Sequence, residues 1–441
     1  MWEAIGISVA LMAPSMAANI NPQSSVGRAV PLSFAIATVG VLLIAYGFVR
    51  LCQNFNHAGS VYGCVTSMAT GIFAAKFLDE IGIWHNQPAA LPFVIGLIAV
   101  GIAYWVAIVP ARKGTRLLLS FEGITVILIF VTTVVVFIKL ASGHAPNHNH
   151  VDWSVFSIPK GSGFNGVFVG AVFEFLSIAG FEASSTFGEE TNNPRKDISR
   201  AILETAIFGG FYFVIVTAVE VMGFGTNAAG IKVFGSSGSL MGDLGTQFIG
   251  SWIVTIISLG VAFSAFGCLL ACLVGAARLS FAMGRDGGNK FLSQVHEKNG
   301  TLMHATRIIS AAVLIILVVW KFAWHKQASD IFAGSGVIGT LILLIVYLLA
   351  TVGAIKFLFL SGKKRTAQWE IIIPLLGLGI LGITLWENVH PWPTSAAGRA
   401  LPIAAIIWLA IGIVFILTKP KLATKLGEQL RNDENLAEAV R

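Results

Sequence analysis

The chain contains an apolar segment that reads Glu174-Phe175-Leu176-Ser177-Ile178-Ala179-Gly180-Phe181-Glu182-Ala183. Gly180 tolerates backbone dihedrals outside the helical range, so a helix is easily interrupted there. A second apolar segment reads Val9-Ala10-Leu11-Met12-Ala13-Pro14-Ser15-Met16-Ala17-Ala18-Asn19. Pro14 removes a backbone donor and clashes with the preceding turn. Both segments are therefore predicted to be helices that open, one near Gly180 and the other near Pro14.

The composition surrounding these segments is that of a polytopic membrane protein. Of 441 residues, 55% are hydrophobic and 12% are charged, and the mean hydropathy is +0.79. Soluble domains carry about 25% charged residues. The chain has neither a phosphate-binding loop nor a Gly-x-Ser-x-Gly or His-Glu-x-x-His motif, so we predict that it is not an enzyme. Because its excess of 7 positive charges is unevenly spread, nucleic-acid binding is not expected either.

A helix needs roughly 20 apolar residues to cross the hydrocarbon core of a bilayer. Twelve such spans are predicted, and the chain is expected to be all-α. They lie at 4–25, 30–51, 59–83, 91–110, 114–140, 164–190, 200–225, 247–284, 303–323, 331–360, 370–389 and 400–418.

The basic residues orient these spans. With the amino terminus inside, 21 of the 29 Lys and Arg residues fall on the inner side and eight on the outer side. Because basic residues concentrate in cytoplasmic loops, both termini are predicted to be cytoplasmic, in the plasma membrane. The outer loops are short. One of them holds His144, His148 and His150 beside Asp152, which is read as a polar loop and not as a metal site.

The two interrupted spans are the first members of two successive groups of five. Interrupted helices at matching positions indicate an inverted repeat with a substrate site at the bilayer midplane. We therefore predict a first repeat at 1–140, an extracellular loop at 141–163 and a second repeat at 164–360. Two further helices at 361–418 and a cytoplasmic tail at 419–441 complete the chain.

Three motifs resemble those of the amino acid–polyamine–organocation (APC) permeases. The clearest begins at Gly180-Phe181-Glu182 and continues through Glu189-Glu190 to Asn193-Pro194 and Ile198-x-Arg200-Ala201-Ile202. The second runs from Arg278 through Met283 to Arg285-Asp286-Gly287. A weaker match is His57-Ala58-Gly59-Ser60-Val61-Tyr62.

The resemblance implies a leucine-transporter-like fold, in which spans 1 and 6 bind the α-amino and carboxylate groups of a substrate. It also implies that carbonyl groups of span 6 receive the amine and that the Phe181 ring helps to close the outer side. The implied substrate contacts are Ala13, Pro14, Ser15, Ser177, Ile178, Ala179 and Phe181.

Two departures from the family pattern keep alternatives open. The usual Gly-x-Gly of span 1 is replaced by Met12-Ala13-Pro14-Ser15, so the substrate is either an amino acid or a polyamine, another organic amine or an inorganic cation such as potassium. The lysine that proton-coupled relatives carry in span 5 is replaced by Thr125. Coupling to Na⁺ through groups such as the Ser264 hydroxyl remains possible.

Carboxylates within apolar spans usually face a cavity or a partner. Glu182 adjoins the break and is predicted to gate the site or to bond freed backbone. Glu174 and Glu122 are the candidates for carrying H⁺, whereas Glu220 is expected to reach water at the outer end of its span. No bound cofactor is expected. The prediction is a secondary-active permease that acts by alternating access, with the lipid bilayer and a small molecule as its partners and its oligomeric state open.

Overall fold

The computed structural model describes the backbone at residues 26–52, 63–109, 112–159, 163–178, 180–182, 193–295, 300–361, 366–390, 392–393, 396–418 and 420. All regular structure within these ranges is helical. The helices longer than one turn are α1 Val30–Cys52, α2 Gly63–Glu80, α3 Leu91–Ile108, α4 Arg112–Ala141, α5 Gly163–Ile178, α6 Pro194–Phe224, α7 Ala228–Ser236, α8 Leu240–Phe248, α9 Ser251–Gly287, α10 Met303–Ala323, α11 Ala328–Phe359, α12 Ile372–Val389 and α13 Ala396–Thr418.

Eight of the described helices are long and apolar enough to cross a membrane. Predicted spans 2 to 12 each coincide with a described helix, whereas span 1 lies outside the described residues. Span 6 is the informative exception, because α5 has only 16 residues and is about 24 Å long. It is too short to cross a core of about 30 Å by itself.

Local sequence explains where several of the helices begin and end. Pro194 occupies the first turn of α6, where its missing N–H would have no helical partner. Gln327 and Asp330 form a reciprocal capping box at the start of α11, which satisfies two backbone donors. At the C-terminal end of α9, the longest described helix, Gly288 adopts a left-handed conformation with φ of 77° and ends the helix.

The helices pack in a recurring pattern. The most extensive contacts join α1 to α6 and α2 to α9, and α3 also contacts α10. Glycines permit close approach at two crossings, since a methyl group at Gly210 would overlap Thr38 and one at Gly260 would overlap Thr125. Lipid offers no hydrophobic driving force for helix association, so membrane helices associate through close packing. Small residues at the crossings permit this packing.

One connection differs from the prediction. The segment between α6 and α9 was expected to be a short loop, but it contains the nine-residue helices α7 and α8. Asn227 caps α7 by accepting a hydrogen bond from the Gly230 backbone. Apolar residues of α8 such as Leu244 and Phe248 are buried against the main bundle. These helices are too short for the transmembrane length criterion, and tertiary packing stabilises them.

Candidate functional site

The helix of span 6 is interrupted where the sequence predicts. α5 ends at Ile178, and Gly180 has φ of 99°, a conformation that side chains other than glycine rarely adopt. Phe181 and Glu182 then form a tighter helical turn. The α-helical hydrogen-bond pattern of α5 is therefore interrupted between Ile178 and Phe181.

The Glu182 side chain accepts a hydrogen bond from a backbone N–H group at the break. Its side chain is buried, and Oε2 accepts hydrogen bonds from the Gly180 N–H at 3.2 Å and from the Tyr347 hydroxyl at 2.8 Å. Tyr347 lies on α11, so this carboxyl group connects the break to a helix that is distant in sequence.

Three aromatic rings surround this contact. The Phe181 ring centroid lies 5.8 Å from that of Phe48 on α1 and 5.6 Å from that of Tyr347 on α11. Phe48 and Tyr347 are also 5.6 Å apart in an edge-to-face arrangement. Phe48 is near the end of α1 that carries Arg50, which the charge pattern assigns to the cytoplasmic side. The Phe181 ring therefore packs against the Arg50 end of α1.

The structure describes part of the implied substrate site. Ser177, Ile178 and Phe181 are all buried at the interrupted end of α5. Ala13, Pro14, Ser15 and Ala179 lie outside the described residues. The described part of the implied site therefore consists of the buried end of α5 and the buried Phe181 ring that follows it.

Glu174 lies on α5 one turn before this end and is fully buried. Neither of its carboxyl oxygens has a hydrogen-bond partner in the described part of the chain. Its Oε1 lies over Gly170, 3.4 Å from the position that a Cβ would occupy there, and the Ser33 hydroxyl is 3.3 Å from the same point. The carboxyl group therefore occupies space between α5 and α1 that exists because residue 170 has no side chain.

Thr125 and Ser264 lie near another interface, between α4 and α9. Thr125 packs against Gly260, which is one turn from Ser264 on α9. Both Thr125 and Ser264 are buried, and the Ser264 hydroxyl has no hydrogen-bond partner among the described residues. The coupling candidates are thus divided between two interfaces, with Glu174 at α1–α5 and this pair at α4–α9.

The prediction for Glu220 was wrong. It was expected to reach water, but it is fully buried, and neither oxygen has a partner in the described ranges. The reason is tertiary, because α8 and the segment at 146–156 cover this end of α6: Gly223 packs against Leu244 and its carbonyl accepts a hydrogen bond from Asn149. The side chain of Glu122 lies outside the described residues.

Comparison with known proteins agrees with this architecture. A family model described as amino acid permease matches residues 41–411, which is most of the chain. The chain belongs to the amino acid permease family. It is a membrane transporter with several membrane-spanning helices.

Named relatives of this permease are distant. A branched-chain amino acid permease of Bacillus subtilis is 26% identical over 332 residues, which cover 64% of this chain and 65% of the relative. An uncharacterized transporter of Mycobacterium tuberculosis is 24% identical, covering 97% of this chain and 93% of the relative. A low-affinity putrescine importer of Escherichia coli is 23% identical, with 88% and 85% covered.

Sequence reasoning missed an ionic contact of the permease between α1 and the turn before α12. Arg50 donates to Glu370 at 2.9 Å, and the Tyr46 hydroxyl donates to the same carboxylate. Arg50 also lies 5.4 Å above the Tyr46 ring. The only available signal was that Tyr46 and Arg50 are one turn apart near a helix end, which does not identify a partner 320 residues away.

A second missed cluster lies where α2 ends against α8 and α9. Lys76 is 3.6 Å from Asp243 and 3.9 Å from Glu80, and Ser258 donates to Glu80 at 3.0 Å. Ser237 donates to Asp243 at 2.6 Å. The cluster joins the α7–α8 connection to the helix bundle.

The loop that carries the three histidines uses its acid as a structural acceptor. Asp152 accepts hydrogen bonds from the Thr226 hydroxyl at 2.6 Å and from the Ser154 N–H at 2.9 Å. These bonds, led by that from Thr226, lower the pKa of Asp152 from its ordinary 3.8 to about 2. Asp152 thereby attaches the loop to the segment that follows α6.

Proposed function

We propose that this permease is a secondary-active transporter that moves an amino acid across the plasma membrane by alternating access, either ion-coupled or by exchange. The observation that carries the proposal is the interruption of α5 at Ile178–Gly180 inside a buried region. Backbone groups released in a membrane must bond to protein, to water or to a ligand. An amino acid offers an ammonium group to the carbonyl groups at such a break. In this proposal the protein catalyses no covalent reaction.

The proposed architecture is twelve helices, with a first repeat at 1–140, a second at 164–360, two further helices at 361–418 and a tail at 419–441. Contacts among the described helices support it. In this architecture α1, α2, α3 and α4 of the first repeat correspond to α6, α9, α10 and α11 of the second. A contact between two helices should then be matched by a contact between their counterparts. The α2–α3 contact is matched by α9–α10, and the α4–α9 contact is matched by α11–α2. Likewise, the α4–α6 contact is matched by α11–α1, and the α3–α9 contact is matched by α10–α2. A pseudo-two-fold axis between the repeats has this consequence.

The proposed substrate site combines span 1 with the end of α5. Carbonyl groups at Ser177, Ile178 and Ala179 would bind the substrate amine, and Ala13, Pro14 and Ser15 would contact its other end. Phe181, packed on Phe48, closes one side of this site. Coupling to H⁺ is proposed at Glu174, Glu182 or Glu122, and coupling to Na⁺ at hydroxyls such as that of Ser264. Thr125 occupies the position at which proton-coupled relatives carry a lysine. With the 21-to-8 distribution of basic residues, both termini are placed in the cytoplasm.

The second candidate substrate is a polyamine, another organic amine or an inorganic cation such as potassium. The likeness to a putrescine importer and the replacement of Gly-x-Gly by Ala13-Pro14-Ser15 favour this candidate. Such a substrate needs no donor for a carboxylate.

Thermal unfolding of the purified full chain with leucine, putrescine and potassium separates the two candidates. A ligand at 100 times its dissociation constant stabilises by about 2.7 kcal/mol. The proposal expects stabilisation by leucine, lost in Ser15→Ala and Phe181→Ala but kept in Phe211→Ala, whose ring is exposed on α6. Stabilisation by putrescine or potassium and by no amino acid would overturn the amino acid assignment. Stabilisation by an amino acid ester as well would show that the carboxylate is not recognised.

A further inference from the structure

We infer that the carboxyl group of Glu174 is the proton-carrying group of this transporter, and that it is loaded when α5 closes against α1. The inference rests on the proposed alternating-access function and adds the identity of the coupling ion and of its site. It depends on where the carboxyl group lies and on what surrounds it.

The surroundings of Glu174 suit a neutral acid and not a carboxylate ion. An ionised carboxylate needs donors, and both of its oxygens are without one in the described part of the chain. The Ser33 hydroxyl, which like Glu174 lies over Gly170, donates its hydrogen to the Val167 carbonyl at 2.8 Å. Ser33 therefore has only acceptor lone pairs left. A buried ion without a partner is far more costly than a buried neutral acid, so a proton resides on Glu174 in this conformation.

Among the described residues, no charged side chain bonds to the Glu174 carboxyl group in place of the proton. The helices packed on α5 are α1, α11, α12 and, at fewer positions, α6. Two of their ionisable groups have other partners, since Arg50 on α1 binds Glu370 and Tyr347 on α11 binds Glu182. Tyr212 and Glu220 on α6 and Glu387 on α12 make no hydrogen bond to it.

The position of Glu174 connects its protonation to substrate binding. It is one turn before the end of α5, where Ser177 and Ile178 belong to the proposed substrate site. Each helix contributes a glycine to the α1–α5 contact around it, with Gly170 of α5 facing Ser33 and Gly40 of α1 facing Phe175. A movement of α5 away from α1 widens this contact and admits water to the carboxyl group. Water stabilises the ion, and the O–H bond then breaks with release of the proton to that water.

Glu220 provides a matched comparison. It is also buried and without a partner in the described ranges. However, α6 continues unbroken through it to Phe224, and it lies near the end of α6 where Gly223 contacts Leu244 and Asn149. The inference therefore assigns the transported proton to Glu174, whereas Glu220 keeps its proton throughout transport.

Leucine transport in proteoliposomes tests the inference, with a trapped pH-sensitive dye to record proton entry. In the wild type, an inward proton gradient should drive leucine accumulation, and leucine should bring protons with it. Glu174→Gln should lose both gradient-driven accumulation and proton entry. It should retain leucine counterflow, because the amide imitates the protonated acid. Glu220→Gln should retain all three.

The outcomes distinguish this inference from the proposed function. Wild-type protein without counterflow of either leucine or putrescine would overturn the proposed function and this inference together. Wild-type counterflow without proton entry, or Glu174→Gln with undiminished proton-driven accumulation, would overturn the inference alone. If Glu174→Gln fails to fold, Glu174→Asp serves instead, and a shifted pH dependence of accumulation is expected. Infrared difference spectra supply a readout independent of transport, since the band of a protonated acid should be weaker in Glu174→Gln at neutral pH.

Discussion

Glu174 and Glu182 lie on opposite sides of one helix break, and both are buried. Glu182 accepts hydrogen bonds from Gly180 and Tyr347, whereas Glu174 has no partner in the described part of the chain. The same residue type, eight positions apart, thus serves two purposes. The carboxyl group of Glu182 bonds to the broken backbone, and that of Glu174 is the one to which we assign proton exchange.

Truncation of the satisfied carboxyl group should have the largest effect on stability. Glu182→Ala leaves the Gly180 N–H and the Tyr347 hydroxyl buried without acceptors, which costs about 1–3 kcal/mol for each. Unfolding of the detergent-purified protein measures the loss. Tyr347→Phe keeps the ring and removes one of the two bonds, so it should lose less. An equal loss in both variants would mean that ring packing, and not the carboxyl group, stabilises the break.

Removal of the unsatisfied carboxyl group should have the opposite sign. Glu174→Met replaces a buried acid without a partner by an apolar side chain of similar length. It should raise the unfolding free energy by about 1–3 kcal/mol, because the desolvation penalty of the acid is removed. The same unfolding assay applies. Destabilisation comparable to that of Glu182→Ala would contradict the distinction between the two sites.

The space that holds the Glu174 carboxyl group can be filled directly. A Cβ in Gly170→Ala would lie 2.7 Å from Val26 Cγ2 and 3.4 Å from Glu174 Oε1, and overpacking of this kind costs about 1–3 kcal/mol. Gly379→Ala is the control, since its Cβ would meet nothing within 4 Å. We expect Gly170→Ala to unfold earlier and Gly379→Ala not to. Equal midpoints would show that the α1–α5 contact relaxes freely.

Asp152 extends the comparison to a carboxylate outside the membrane and should give the smallest effect. Its folded-state pKa of about 2 is below the ordinary 3.8, so its hydrogen bonds stabilise the fold above about pH 4 and lose that contribution as the pH falls toward 2. Thr226→Val should raise the pKa of Asp152 and flatten the pH dependence of the unfolding midpoint between those values. Ser236→Ala, whose hydroxyl bonds only a carbonyl group, should leave this dependence unchanged.

The sequence predicted the helices better than it predicted their contacts. Predicted span 9 coincides with α10 at 303–323, and the break near Gly180 is present, because span length and helix-breaking residues are local properties. The helices α7 and α8 were missed, since each has nine residues and is stabilised by burial against distant helices. The burial of Glu220 was missed for the same reason, because the covering groups come from the segment at 146–156 and from α8.

The sequence alone determined that this protein crosses a membrane, where its long apolar helices lie and where one of them breaks. These follow from local rules, because a bilayer requires each spanning segment to be apolar and to bond its own backbone. Only the tertiary structure decided which buried carboxyl group has a partner. Tyr347 is 165 residues from Glu182, and whether a partner at that distance is in place depends on how the helices pack and on no property of the intervening sequence.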